Sequence, residues 1–507
     1  MKKSLVVAIL VAAVVAAGCE KNGPEKETYT AELTSVSVLA EDNAELISED
    51  IEIPVESSMA VRLSGGGRDK ELVLTLVAGK DDAIFIDEEK VIGGKAKIDA
   101  SFPVDIIVRD TVGNITTAYE LKVKNTVGMT IDLVNQYVEE NCAAGMEDRL
   151  GMAAAPNGDV YITYMSTATV DGVKQKQNLS VIKWDGTAVS QVGKAGFVDV
   201  SSNPVSYPIS VKVNSKGNPV VMYSGGLVKG LISVMEFNGG NWNFIGTDQG
   251  VSQKFSVAYG TPQFYFNPKT GNPGFFYMCS TSKTDPNYRN YTEASYNGSD
   301  WSLDFGSLGD FPKYSDGSIF YMAAACNTKD AAWIVTSCNQ KGYYVYKKTD
   351  SSWECVVNNF VPEGEPYGVP SNLSIKADAD GNVYVFAAHS SAAKMQLYKV
   401  NEAGKSLDIY GNAFVCTPGS SGAIKDQASF DISEKGQFVA VVADKFYVLN
   451  ADKQWEFANN LYMPGTLGKY SSYFMEFTGA ESGVFTTTLD DAEGNTSICI
   501  YKFGPEE

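Results

Sequence analysis

The chain has a single histidine, His389, in 507 residues. No zinc site built on imidazoles can form from it, nor a copper–radical site that needs several. A Ser-His-Asp triad would have to use His389, and nothing near it in sequence supports one. Arginine is almost as scarce after residue 148, where only Arg149 and Arg289 occur. A three-arginine clamp on a substrate carboxylate is thereby excluded. Basic charge is short overall. The 41 Lys and Arg against 61 Asp and Glu leave a net charge of −20, which repels phosphate backbones and argues against a nucleic-acid partner. Cysteine is sparse and never spaced CxxC. Past Cys19 there are Cys142, Cys279, Cys326, Cys338, Cys355, Cys416 and Cys499, an odd set. They read as buried thiols with room for one bridge. Cys279 to Cys338 is the pair to test, provided their sheets come close enough. Asp378-Ala379-Asp380-Gly381-Asn382 has the look of a calcium loop, but strand residues follow where the bidentate Glu would stand, so it reads as a hairpin turn. No cofactor and no metal is expected.

The one long apolar run, Leu5–Gly18, follows Met1-Lys2-Lys3. A span takes roughly 20 apolar residues, so this stretch fits a secretory signal instead. It ends in Ala16-Ala17-Gly18-Cys19, which resembles the lipobox of bacterial lipoproteins, with Ala16 where that family usually has Leu. The resemblance implies a signal peptide over 1–18, acylation of Cys19 with palmitate-type chains, and anchoring at the cell outer membrane, exposed at the surface. Each buried CH₂ contributes about 0.8 kcal/mol to such an anchor. Charged residues 19–27, with Gly23 and Pro24, read as a tether.

Residues 28–126 alternate apolar and polar over short runs, such as Glu32–Leu39, Ile51–Val55, Glu71–Val77 and Ala118–Val123. That spacing predicts a small β-sandwich, and it resembles the Ig-like modules of surface proteins. From residue 148 to 507 the chain repeats. Each unit has an apolar strand, a tight turn and a second apolar strand: Met152–Ala155, Asn157-Gly158 and Val160–Tyr164 open the series, and Phe474–Phe477, Gly483 and Val484–Thr488 close it. From Gly158 to Gly483 six steps cover 325 residues, about 54 per step. A second hairpin recurs in most units and reaches Trp242, Trp301, Trp353 and Trp455. Two hairpins make the four strands of a propeller blade. The last unit is one strand short, and Met129–Val134, within the 127–147 linker, is expected to supply it and close the ring. Val220–Gly226 with Trp242 resembles one kelch repeat, and the whole pattern is similar to the sialidase- or kelch-like propellers of surface lipoproteins. The expected fold is all-β: a small Ig-like β-sandwich followed by a seven-bladed β-propeller.

Loop lengths locate the expected working face. Connections after the second strand and between units are the longer ones, and in up-and-down blades both emerge at one end. They offer Tyr207, Tyr259, Tyr288, Arg289, Tyr291, Tyr314, Tyr367, Asp426 and Tyr470, with His389 and Asp444 where second strands end. Aromatic rings stack on sugar faces and phenol groups add hydrogen bonds. The leading expectation is a lipid-anchored surface protein that binds glycan, touching membrane only through its anchor. Glycoside hydrolysis by two loop carboxylates, such as Glu365 and Asp426, stays open. So does protein–protein scaffolding in an outer-membrane complex.

Overall fold

The computed structural model describes residues 30–44, 46–63, 71–100, 103–125, 128–138, 149–167, 169–171, 173–252, 262–279, 284, 291–305, 321–338, 341–350, 352–362, 373–389, 393–417, 426–468 and 471–506. Every regular element among them is a β-strand. In Glu71–Ala78, Leu72, Leu74 and Leu76 are buried while their neighbours are not. Val104, Ile106 and Val108 repeat the pattern. A period of two fits a pleated strand with one face covered.

Two sheets result. One orders Ile51–Ile53, Leu33–Val38, Glu71–Ala78 and Lys95–Asp99; the other orders Ser58–Leu63, Thr116–Asn125, Val104–Asp110, Asp82–Ile86 and Glu89–Lys90. Ser58–Leu63 runs parallel to Thr116–Asn125, and the remaining pairs are antiparallel. The buried faces share one core.

Among the described residues, seven antiparallel sheets of four or five strands follow, with one two-stranded hairpin, Thr169–Val170 against Val173–Lys174, between strands of the first. Their first strands are Leu150–Ala154, Asn203–Val213, Gln263–Phe266, Tyr321–Asn327, Leu373–Ala377, Ala428–Ile432 and Phe474–Phe477. Each first strand contacts the next, and the seventh contacts the first, so they form a closed cycle. The seventh sheet draws three main strands from the end of the chain and its fourth from Met129–Tyr137, which runs antiparallel to Thr496–Pro505 with Met129 opposite Pro505. Second strands such as Pro219–Gly226 and Phe438–Val442 are buried along their whole length. Neighbouring sheets cover both of their faces, which is why they read as unbroken apolar runs.

The repeated tryptophan has a physical role. Trp242 Nε1 donates to the Val192 carbonyl (3.1 Å) and Trp301 Nε1 to the Ile245 carbonyl (2.7 Å). Each indole thus clips its sheet to the exit of the preceding one. A glycine follows each acceptor, and a Cβ on Gly246 would lie 2.6 Å from Trp301 Cδ1. The Gly225-Gly226 pair has its own cause: Gly225 has φ +100°, and a Cβ there would sit 2.2 Å from the Pro204 carbonyl oxygen.

Antiparallel order puts the first-to-second and third-to-fourth turns at one end of every sheet, the turn end. The between-sheet connections leave from the other, the loop end. Only the between-sheet connections are consistently long. The second strand passes to the third through Ala443-Asp444 in the sixth sheet and Leu227 in the second. The expectation of extended connections after the second strand therefore fails in those sheets, because the strand pairing runs to the sheet end and leaves a tight turn. Cys279 is a buried thiol and not half of a disulfide, so no Cys279–Cys338 bridge exists; its side chain belongs to the core between the second and third sheets.

Candidate functional site

At the loop end, few of the expected site residues come together. Cys19, Tyr259, Tyr288, Arg289, Tyr314, Glu365, Tyr367 and Tyr470 lie outside the described residues. Tyr207 belongs to the strand Asn203–Val213, half-buried, with the Arg149 guanidinium 4.8 Å from its ring centroid. Tyr291 is the first residue of Tyr291–Tyr296 and only 6% exposed; it packs in the core between the third and fourth sheets instead of presenting a ring to ligand. His389 ends the strand Val383–His389, its backbone opposite Lys394. Asp426 and Asp444 do share a neighbourhood. Asp426 accepts the Thr417 amide at 2.6 Å, and Asp444 is exposed in its tight turn. Both lie near Tyr473, whose phenol is pushed up by burial first and then by Asp444 and Asp426. That hydroxyl is buried without a hydrogen-bond partner among the described residues.

The carboxylate pair that the fold assembles lies elsewhere, on the axis of the sheet cycle. Asp431 and Glu476, on the first strands of the sixth and seventh sheets, flank Lys376 of the fifth at 3.2 and 3.8 Å. Each carboxylate also accepts a backbone amide from the next sheet in the cycle: Asp431 from Phe477 (2.6 Å), Glu476 from Ala154 (2.5 Å). Burial raises Asp431, with Lys376 opposing it. Burial would lower Lys376, but Asp431 and Glu476 outweigh it and hold the ammonium up. These groups stitch four sheets together. Nothing in sequence flagged them, since each looks like an isolated charge one step from a strand end.

A pocket of about 480 Å³ opens at the turn end between the fourth and fifth sheets. Trp333 of the fourth sheet lines it at 2% exposure, with Lys347 Nζ 4.9 Å from its ring centroid. Asn382 and Val383 come from the first hairpin of the fifth sheet; Lys399, Asn401, Glu402 and Asp408 come from its second. Trp333 Nε1 is buried with no hydrogen-bond partner among the described residues. Glu402 pairs with Lys347 across the sheets at 2.8 Å. Asp408 accepts from Asn401 Nδ2 and Ser406 Oγ, each at 2.9 Å, and Asp378 fixes Asn382 through its side-chain amide at 2.8 Å. The Asp378–Asn382 segment is thus a hairpin turn whose carboxylate is spent on its own residues. Among the described residues no group of His, Cys, Asp and Glu could hold a metal. The pocket combines an indole donor, two amides, two carboxylates and an ammonium in a volume suited to a small ligand. Sequence reading missed it because both contributing hairpins look like ordinary short turns.

No protein-family model matches the chain, and no curated protein does. Solved structures resemble it at low identity. A Dyadobacter fermentans protein of unknown function is 10% identical over 75% of this chain and 99% of its own, with a TM-score of 0.40. The Aleuria aurantia lectin, described as a six-bladed β-propeller with a fucose recognition mode, is 13% identical over 64% of this chain and 95% of its own, at 0.35. The Penicillium chrysogenum α-L-arabinanase, solved with arabinobiose, is 11% identical over 73% of this chain and 97% of its own, at 0.41. Likeness at this level says nothing about the ligand of the present chain. The fold itself is all-β and propeller-like, a cycle of small antiparallel sheets.

Proposed function

We propose that the chain is a lipid-anchored cell-surface protein, an Ig-like β-sandwich followed by a seven-bladed β-propeller, that binds glycan without cleaving it. The anchor rests on the signal-like run and Cys19. The binding reading is carried by one observation, the pocket between the fourth and fifth sheets. It holds both donors and acceptors, as hydroxyl-rich ligands require, and the orphaned Trp333 N–H supplies a buried donor that a sugar hydroxyl or carbonyl would satisfy. Catalysis has less support, because Asp431 and Glu476 are committed to backbone amides and Lys376, and Asp426 to Thr417. Removing the acylation site in C19S gives the full chain in soluble form for a glycan-array screen and affinity electrophoresis. Retention of a glycan, weakened at least tenfold by D408A or N382A, is expected. Absence of retention in both assays refutes the reading; retention untouched by either variant moves the site away from the pocket.

A further inference from the structure

The described sandwich residues leave four large apolar side chains exposed: Val77, Ile92, Val112 and Ile115, with Ile92 84% and Val112 61% open to solvent. Strand register places all four toward one end. Val77 is next to last in Glu71–Ala78, and Val112 and Ile115 lie in the turn between Val104–Asp110 and Thr116–Asn125. That turn bonds to the one that follows Ala78: the Thr111 amide and hydroxyl donate to the Asp81 carbonyl at 3.3 and 2.9 Å. Ile92 lies on the crossing between the two sheets. On one side of it the Val91 amide donates to the Ile84 carbonyl at 2.8 Å, and on the other the Gly94 carbonyl accepts the Leu76 amide at 2.7 Å.

The polar groups of this end close on one another. The Val112 amide donates to the buried Asp110 carboxylate at 2.7 Å, and the Asp110 amide to the Ile115 carbonyl at 3.0 Å. Apolar side chains scattered singly over a surface need no explanation. Four gathered at one end, with no other large one exposed among the described sandwich residues, mark a contact surface.

The course of the chain identifies the occupant. The chain enters the sandwich at this end: Leu33 pairs with Ala78, the Glu32 carbonyl accepts the Gly79 amide at 3.3 Å, and the Glu32 amide donates to Asp82 at 3.2 Å. Eleven residues, 19–29, separate Cys19 and its acyl chains from Thr30, the first described residue. A chain of that length spans about 40 Å at full stretch and about 20 Å on average as a coil. The exit is at the opposite end. Thr116–Asn125 carries the chain ten residues away, about 33 Å. There Arg62, next to last in the parallel strand Ser58–Leu63, pairs with Glu506 at 3.2 Å. Charge narrows the choice of lipid. The net charge of −20, with Glu32, Asp81, Asp82 and Asp110 at this end against Lys80 and Arg109, repels an anionic surface.

We propose that the apolar end of the sandwich seats in the headgroup layer of an uncharged bilayer, with Ile92 and Val112 as its foremost side chains. The proposal rests on the reading of Cys19 as an acylation site and is independent of glycan binding. Burying these side chains adds a second hold beside the acyl chains. It also stands the sandwich on end, with Arg62 and Asn125 turned away from the lipid.

The full acylated chain, reconstituted in phosphatidylcholine vesicles that carry a doxyl quencher high on the acyl chain, tests it. V112W puts an indole at the apolar end, and the six native tryptophans, all at residue 184 or beyond, serve as the distant reference. The V112W contribution is expected to lose at least half its fluorescence and the native indoles less than a tenth. Adding I92D and I115D to V112W should cut its quenching at least threefold. A Cys19 peptide of unmodified mass removes the anchor and the docking together. An acylated chain that floats with the vesicles while V112W stays unquenched removes the docking alone. Native indoles quenched as strongly as V112W overturn the end-on seat, and quenching that needs added phosphatidylglycerol overturns the uncharged surface. Self-association of the C19S chain that I92D abolishes assigns the end to a second copy instead. Should V112W fail to fold, I92W takes its place, with V112D and I115D as the releasing changes.

Discussion

Replacing Glu293 by Gln tests how the third and fourth sheets are held together. Glu293 and Lys348 pair at 2.6 Å with side chains only 4% and 8% exposed. Tyr265 donates its hydroxyl to the same carboxylate. Its phenol is held well above the usual range by burial and by Glu293, so it stays protonated and keeps donating. At 2.6 Å and an effective dielectric near 20, the attraction is about 6 kcal/mol, most of it offset by the desolvation of both ions. E293Q keeps the volume and the acceptor for Tyr265 but leaves the Lys348 ammonium buried without a counter-charge. Removing one partner of such a pair costs about 3–5 kcal/mol, whereas removing both is close to neutral. The E293Q/K348M double variant should therefore recover most of the loss, with a coupling energy of at least about 2 kcal/mol. All six tryptophans lie at residue 184 or beyond, so urea unfolding followed by tryptophan fluorescence reports on the seven-sheet region and not on the sandwich. A loss under about 1 kcal/mol in E293Q, or simple additivity in the double variant, refutes the reasoning.

Alkaline stability offers a second test. Burial raises Cys326 and Cys416 to about 12 and Cys499 to about 11, against an ordinary 9.0. The folded state holds these protons while the unfolded state has lost them. The stabilisation is thus complete below pH 9 and is lost as pH climbs through 9 toward 12. Denaturant midpoints should fall over that window, and native protein should resist iodoacetamide at pH 8 at these three thiols; labelling as fast as in the urea-unfolded protein contradicts it. G225A should destabilise by about 2 kcal/mol or more, since the new Cβ meets the Pro204 carbonyl in a left-handed conformation; an unchanged urea midpoint counts against the turn geometry. W301F should cost about 1 kcal/mol by deleting the donor to the Ile245 carbonyl, and W242F a similar amount; a gain in midpoint for either would show the indole clip to be incidental.

Much of the architecture was legible because each signal was local. The alternation in Glu71–Ala78 and the unbroken apolar run at Phe438–Val442 state how many faces each strand covers. The recurring tryptophan was visible, although its acceptors at Val192 and Ile245 lie 50 and 56 residues away and belong to another sheet. The site was far less legible. Trp333 and Asp408 meet only because two sheets lie side by side, and Lys376 finds Asp431 and Glu476 only because first strands from three sheets converge. Tyr291 shows the opposite failure: its neighbours read as loop, yet one step into the pairing register it becomes core. Loop aromatics are weak guides when strand ends cannot be fixed to within a residue or two.

The fourth strand of the seventh sheet comes from residues 129–137, while the rest of that sheet comes from strands between residues 466 and 505. Six sheets can assemble as they emerge from the ribosome, but Met129–Tyr137 must wait for Thr496–Pro505. Any product that stops early keeps two raw edges, one at each side of the gap, and is marked for proteases or self-association. The geometry thereby inspects its own progress: only a chain extended through Thr496–Pro505 can shut the circle.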